Sequence, residues 1–167
     1  MNKIAIIGSG GAGKSTLAVQ LGEKLGLEVY HIDALFWKPG WVSIPSDELR
    51  EILADVVQRD SWIIDGNYSD SLDIRLVAAD IVIFLDFPRH ICLWRVIKRF
   101  LQHRGTTRPD MGPGCPEQID WEFINWIWRF PTRSKLRILQ KIEQYFCGKE
   151  VIRLRSPREV EEFLKNC

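Results

Sequence analysis

One octapeptide restricts the fold more than anything else in the chain. Gly8-Ser9-Gly10-Gly11-Ala12-Gly13-Lys14-Ser15 fits G-x-x-x-x-G-K-[ST], the pattern of a loop that cradles phosphate. Its flanks have the context that pattern requires. Lys3-Ile4-Ala5-Ile6-Ile7 is a short apolar run rich in β-branched residues, as in a buried parallel strand. After the loop, Leu17, Leu21 and Leu25 share one helical face, with Ala18 and Gly22 alongside. Glycines let the backbone turn tightly and point consecutive N–H groups at an anion. The positive end of the following helix adds to that field. In this arrangement Lys14 reaches the β- and γ-phosphates of a nucleotide, and the Ser15 hydroxyl holds Mg²⁺. Gly8 to Thr16 is therefore the expected nucleotide-binding segment.

At 167 residues the chain has the length of one domain. A domain near that size buries about 70% of its unfolded surface, enough for one core without staples. Lys and Arg total 23 against 22 Asp and Glu, a formal net charge of +1. That balance gives no global reason to expect nucleic acid or an anionic membrane as partner. No apolar run approaches the length of a bilayer span, and no basic, apolar, small-residue leader stands at Met1. Cys92, Cys115, Cys147 and Cys167 are scattered, with no C-x-x-C. They read as buried or incidental thiols of a reducing cytoplasm rather than a zinc site.

Acids recur where apolar runs stop. Leu27 to Ile32 reads as a second strand ending at Asp33. The carboxyl end of a parallel strand is the ligand edge of an open α/β sheet. Asp33 there holds a Mg²⁺-bound water or takes a proton from an acceptor hydroxyl, unless it only caps a loop or helix. Phe36, Trp37 and Trp41, around Pro39-Gly40, form an aromatic loop that either stacks on a planar acceptor or seals the site. Ser46 caps a helix whose stripe is Leu49, Ile52, Leu53, Val56 and Val57. Trp62-Ile63-Ile64 is a third strand ending at Asp65-Gly66-Asn67-Tyr68, and a short helix over 69–79 carries Arg75. Asp65 is either an acid holding Mg²⁺, often through water, or part of a plain Asp-Gly turn. Ile81 to Leu85 is a fourth strand, ending at Asp86, a second candidate metal-side acid.

The second half is basic and aromatic. A helix from Arg89 to about His103 carries Arg95, Arg99 and His103 on one face. Between Arg89 and Pro109 stand Arg89, Arg95, Lys98, Arg99, Arg104 and Arg108, with no acid. Such a strip serves a transferring phosphate, nucleic acid or only solvent; its nearness to the phosphate loop favours phosphate. Gly105 to Pro116 holds three glycines and three prolines, which excludes regular structure and reads as a lid. Helices are expected over 117–130 and 132–147, broken at Pro131, with Arg129, Arg133 and Arg137 as a second basic ridge. Val151 to Leu154 is a fifth strand, and Ser156-Pro157-Arg158-Glu159 is a capping box opening the last helix.

Taken together, the chain resembles the P-loop kinases of the adenylate kinase and shikimate kinase group over essentially its whole length. Ile63-Ile64-Asp65-Gly66 is similar to the strand and Asp-Gly of nucleoside-monophosphate kinases, and Ala79 to Pro88 to their strand before the lid. Arg95 and Arg99 stand where that group has its first lid arginines, and Arg133 and Arg137 about where it has the later pair. Ser156-Pro157 falls in the loop that borders adenine, and Asp33 is similar to the acceptor-binding acid of shikimate kinase. The likeness is greatest to the small adenylate-kinase-related DNA topology modulation (FlaR-type) proteins. Its carriers are His31-Ile32-Asp33-Ala34-Leu35-Phe36-Trp37, Asp65-Gly66-Asn67-Tyr68 and Arg108-Pro109-Asp110-Met111-Gly112.

The resemblance implies a three-layer α/β/α P-loop NTPase fold with a five-stranded parallel sheet of order 2-3-1-4-5. It implies one domain over 1–167 with a lid at about 104–131. It also implies ATP and Mg²⁺, with Ser15, Asp65 and Asp33 on the metal side. Lys14, Arg95, Arg99, Arg133 and Arg137 would neutralise the moving phosphoryl group, and Asp33 would be the base for a hydroxyl acceptor. Asn67-Tyr68 departs from the Phe-Pro-Arg of adenylate kinases, which removes an arginine for an AMP phosphate. The expected activity is phosphoryl transfer from ATP to a small-molecule acceptor, in a monomer or dimer. The alternative is a nucleotide-binding protein acting on DNA. The Arg89–Arg108 strip speaks for that alternative; the near-neutral charge and the lack of any helix-turn-helix or zinc motif speak against it.

Overall fold

The computed structural model describes residues 2–146 and 148–167. Cys147, and with it the expected end of the helix over 132–147, lies outside the described residues. Five parallel strands make the sheet: β1 (Lys3–Gly8), β2 (Val29–His31), β3 (Trp62–Asp65), β4 (Ile81–Leu85) and β5 (Glu150–Leu154). Their spatial order is β2-β3-β1-β4-β5. Among the described residues eight α-helices connect and cover them: α1 (Lys14–Leu25), α2 (Ile32–Phe36), α3 (Ser46–Val56), α4 (Leu72–Ala78), α5 (Arg89–His103), α6 (Trp121–Arg129), α7 (Ser134–Tyr145) and α8 (Pro157–Asn166).

Alternation along β1 builds the three layers. Ala5 and Ile7 face one way, into a core with Leu49, Leu53, Leu72, Leu76, Ile138 and Ile142 from α3, α4 and α7. Ile4 and Ile6 face the other way, onto Leu17, Leu21, Cys92 and Val96 of α1 and α5, with Val160 and Phe163 of α8 packed against them. A strand apolar on both faces must be covered on both. The three-layer P-loop fold expected from the sequence is thus present, and no described helix is long and apolar enough to cross a membrane.

Several boundaries move for local reasons. Leu27 and Glu28 are not in β2, because Gly26 ends α1 at φ 67° and the Leu27 N–H bonds back to the Gly22 carbonyl at 3.0 Å. Asp33 is the second residue of α2 rather than the end of a strand. Ser46 does not cap α3; Pro45 holds the cap position and Ser46 is the first helical residue. The helix expected from 117 begins only at Trp121, where Asp120 accepts the Phe123 N–H at 2.8 Å. Ser156 does cap α8, while Glu159 reaches back to the Arg155 N–H at 2.9 Å. A feature that the sequence did not announce is a two-stranded antiparallel ribbon, Trp37–Lys38 with Val42–Ser43, built from the aromatic loop.

Candidate active site

The phosphate loop is set by what surrounds it. Gly8, Gly11 and Gly13 have φ of 152°, 76° and 95°, conformations that favour glycine. A Cβ at Gly8 would lie 2.6 Å from the Leu85 carbonyl of β4, so the sheet itself demands a glycine there. No side chain caps the start of α1 and no acid stands in its first turn, which leaves its N–H groups to the loop. Lys14 is half-buried, and its Nζ donates to the Ser9 carbonyl at 2.9 Å. Burial draws its ammonium below the usual lysine range, against the charges of Asp33 and Asp65.

Sheet register assembles the acidic side. His31 and Asp65 are direct neighbours across β2 and β3. Asp65, almost fully buried, accepts from the Ser15 hydroxyl at 2.9 Å on one oxygen and pairs with His31 Nδ1 on the other. Burial pulls the imidazole pKa down, but the bond to Asp65 and the charges of Asp65, Asp110 and Asp33 prevail and raise it. Beyond β3, the Asn67 amide brackets the first loop glycine: its Oδ1 accepts the Gly8 N–H at 3.0 Å and its Nδ2 donates to the Gly8 carbonyl. Tyr68 donates its hydroxyl to Asp33 at 2.8 Å, and burial first, then the Asp33 charge, push the phenol far up. Arg75 is fully buried and donates to the carbonyls of Gly66 and Asn67 at 2.7 and 2.9 Å, which fixes this turn. Burial lowers its pKa to about 10. Asp86 stands apart: Lys135 lies 2.8 Å from it and Arg153 Nε donates at 2.8 Å. Two cations occupy that carboxylate, and it is not on the wall of the cleft.

Much of the basic strip turns inward. Arg95 donates to the Ala12 carbonyl of the loop at 3.0 Å. Arg99 Nε and Arg108 Nε each lie 2.7 Å from the Glu117 carboxylate, one on each oxygen, and Arg108 also meets Asp110 at 2.9 Å. Arg89 stacks over Trp128, 3.8 Å from the ring centre. The Gly105–Pro116 segment has no regular element, only bridges at Arg104–Glu117 and Thr107–Pro116. It docks on the aromatic ribbon, where Gly40 N–H donates to the Gly114 carbonyl at 2.8 Å and Trp41 Nε1 to the Pro116 carbonyl at 3.1 Å. Phe123 and Trp126 of α6 stack with centres 6.0 Å apart, and a Cβ on Gly10 would meet Phe123 at 2.7 Å.

These parts line one cleft of about 1380 Å³. Gly10 to Thr16, Asp33, Arg95, Arg99 and Arg137 are on its wall; Gly8, Ser9 and Asp65 are not. Arg133 is not either, and opens with Glu122 and Arg129 onto a separate hollow of about 200 Å³. Arg108 of the basic strip is on the wall, and so are His31, Tyr68 and Glu117, to which the sequence assigns no separate role. Only the register of β2 on β3 shows that His31 reaches Asp65; the acid-free stretch from Arg89 to Pro109 was the one signal that a carboxylate such as Glu117 is needed nearby.

The fold is that of the small P-loop kinases. Shikimate kinase from Acinetobacter baumannii, solved with shikimate, is similar with a TM-score of 0.64 at 15% identity, over 99% of this chain and 90% of that one. Deoxyadenosine kinase from M. mycoides, solved with dCTP, is similar with a TM-score of 0.51 at 16% identity, over 98% and 97%. Shikimate kinase from Aquifex aeolicus gives 0.50 at 17% identity, over 98% and 92%. No protein-family model matches the chain, and no curated protein matches its sequence.

Proposed function

We propose that this chain transfers a phosphoryl group from ATP to a small-molecule acceptor, with residues 1–167 as one kinase domain and about 104–131 as its lid. The observation that carries this reading is convergence. Gly10 to Gly13 with Lys14, the Ser15 hydroxyl, Arg95 and Arg99 meet at one cleft whose wall also holds Asp33, and Asp65 stands behind that wall, accepting from Ser15. The residues suit the groups they would hold. The glycine φ angles leave the loop amides free to face an anion, and Ser15 with Asp65 is the kind of oxygen pair that takes Mg²⁺ beside substrate phosphates. Magnesium, when bound, supplies charge neutralisation at the β- and γ-oxygens.

The residues then divide the work. Lys14 leaves the Ser9 carbonyl for phosphate oxygens, a charge-assisted bond in place of a neutral one. Arg95, held by Ala12, and Arg99 neutralise charge that develops at the γ-position, and Arg137 reaches the same cleft. Asp33 accepts the proton of a hydroxyl acceptor, with Tyr68 orienting its carboxylate. His31 and Ser15 fix the rotamer of Asp65. Phe123, Trp126 and the docked 105–116 segment keep water out. Arg133 belongs to the reading only as a support of the α6–α7 turn, since its hollow is separate.

Lys14→Ala is expected to lower ATP turnover by about 10²–10³-fold or more, as for other lost transition-state donors. A coupled ADP-release assay over nucleosides, nucleotides and hydroxyl compounds checks this, with circular dichroism for the fold. Turnover at the wild-type rate in that variant refutes the site. A DNA-binding role has less to draw on: Arg89, Arg95, Arg99 and Arg108 of the strip already have partners within the chain.

A further inference from the structure

The Arg89–Arg108 strip calls for an anion, and part of that charge lies inside the chain. Glu117 is a carboxylate whose side chain is only 3% exposed, shared between Arg99 and Arg108, one oxygen to each. All three line the same cleft as Lys14. Arg99 stands close enough for its charge to bear on Lys14, and Arg108 close enough to bear on Arg99. Three cations thus crowd toward the phosphate loop, and one carboxylate holds two of them together.

We propose that Glu117 determines which anions the cleft accepts, by occupying Arg99 and Arg108 until a polyphosphate displaces it. This rests on the reading of the cleft as a nucleotide site. Stripping a buried carboxylate of both partners is costly. A ligand must offset that cost with several charges at once, delivered to Lys14, Arg95 and Arg99 together. A triphosphate does so; sulfate or inorganic phosphate brings too few contacts. Arg108 is not left bare by the exchange, because Asp110 stays on its Nη1 at 2.9 Å. The Glu117 backbone is tied to Thr106, its N–H donating at 2.9 Å, so the side chain can leave Arg99 while the neck of the 105–116 segment keeps its place.

The test is calorimetry on the full chain with pyrophosphate, ATP and sulfate, without acceptor. Glu117→Gln keeps the shape and removes the charge. It is expected to bind pyrophosphate and ATP at least tenfold tighter than wild type and to gain measurable sulfate binding. Unchanged or weaker pyrophosphate binding in a folded Glu117→Gln protein overturns the proposal. Should that variant fail to fold, the wild type decides: crystals with a non-hydrolysable ATP analogue are expected to show the Glu117 carboxylate off Arg99. A retained Arg99–Glu117 pair in that complex overturns it equally. Lys14→Ala separates the two readings. Undiminished ATP binding there sinks the cleft assignment. Abolished binding there, with no gain in Glu117→Gln, sinks the role of Glu117 alone.

Discussion

Arg75 shows how much of this site depends on single side chains that do not touch a ligand. Its guanidinium is fully buried, and Nη1 and Nη2 donate to the carbonyls of Gly66, Asn67 and Tyr68. Arg75→Met would take this donor from the Gly66 and Asn67 carbonyls, while Tyr68 keeps the Ser71 N–H and hydroxyl. The expected loss is roughly 2–5 kcal/mol, measured by urea unfolding with an unchanged m-value. The sequence showed Arg75 only as a residue of a short helix, because nothing in its spacing reveals that its partners are main-chain atoms. Asn67 and Tyr68 were visible as a departure from adenylate kinases, but their bonds to Gly8 and Asp33 depend on the path of a turn that Arg75 helps to fix. The turn from Gly8 to Gly13 between β1 and α1 was legible as local structure, because its φ angles at Gly8, Gly11 and Gly13 are ones that glycine favours.

At the scale of elements, the buried strands were easy to read and the 105–116 segment was not. Apolar runs covered on both faces announce themselves; a Gly- and Pro-rich segment announces only the absence of regular structure. The place of that segment is set by hydrogen bonds from the Gly40 N–H and the Trp41 indole and by a close approach at Gly114. With φ 76° there, a Cβ would lie 2.8 Å from Pro39. Gly114→Val is therefore expected to undock the segment. Limited proteolysis should then cut between 104 and 118 several times faster than in wild type, with the far-ultraviolet spectrum unchanged. The start of β1 carries a separate prediction. Asn2 and Lys3 donate their N–H groups to Asp80 at 2.9 and 3.0 Å, and these bonds lower its pKa from 3.8. A depressed carboxylate contributes stability above the unfolded value and loses it as pH falls through the folded one. Asp80→Asn should thus be less stable than wild type at pH 7, with the gap closing as the pH falls below 3.8, as thermal melts across pH would show.

For the molecule as a whole, ligand and fold are linked by mass action. At 100 times its dissociation constant a nucleotide adds about 2.7 kcal/mol of stability, a rise of roughly 5–11 °C in Tm for a chain of this size. That rise should be absent in Lys14→Ala, and thermal-shift measurements with Mg·ATP check it. The Asn67 carboxamide clasps both polar atoms of Gly8, and the next residue along steers Asp33. On the proposed reading, phosphate cradle and proton acceptor are thereby cut from a single block. Exchanges within 105–116 would alter who enters and how dry the chamber stays, but the gap an acceptor must bridge would be set by the turn at 65–68. A change of preferred acceptor length is therefore expected from substitutions at 65–68 and not from any exchange within 105–116.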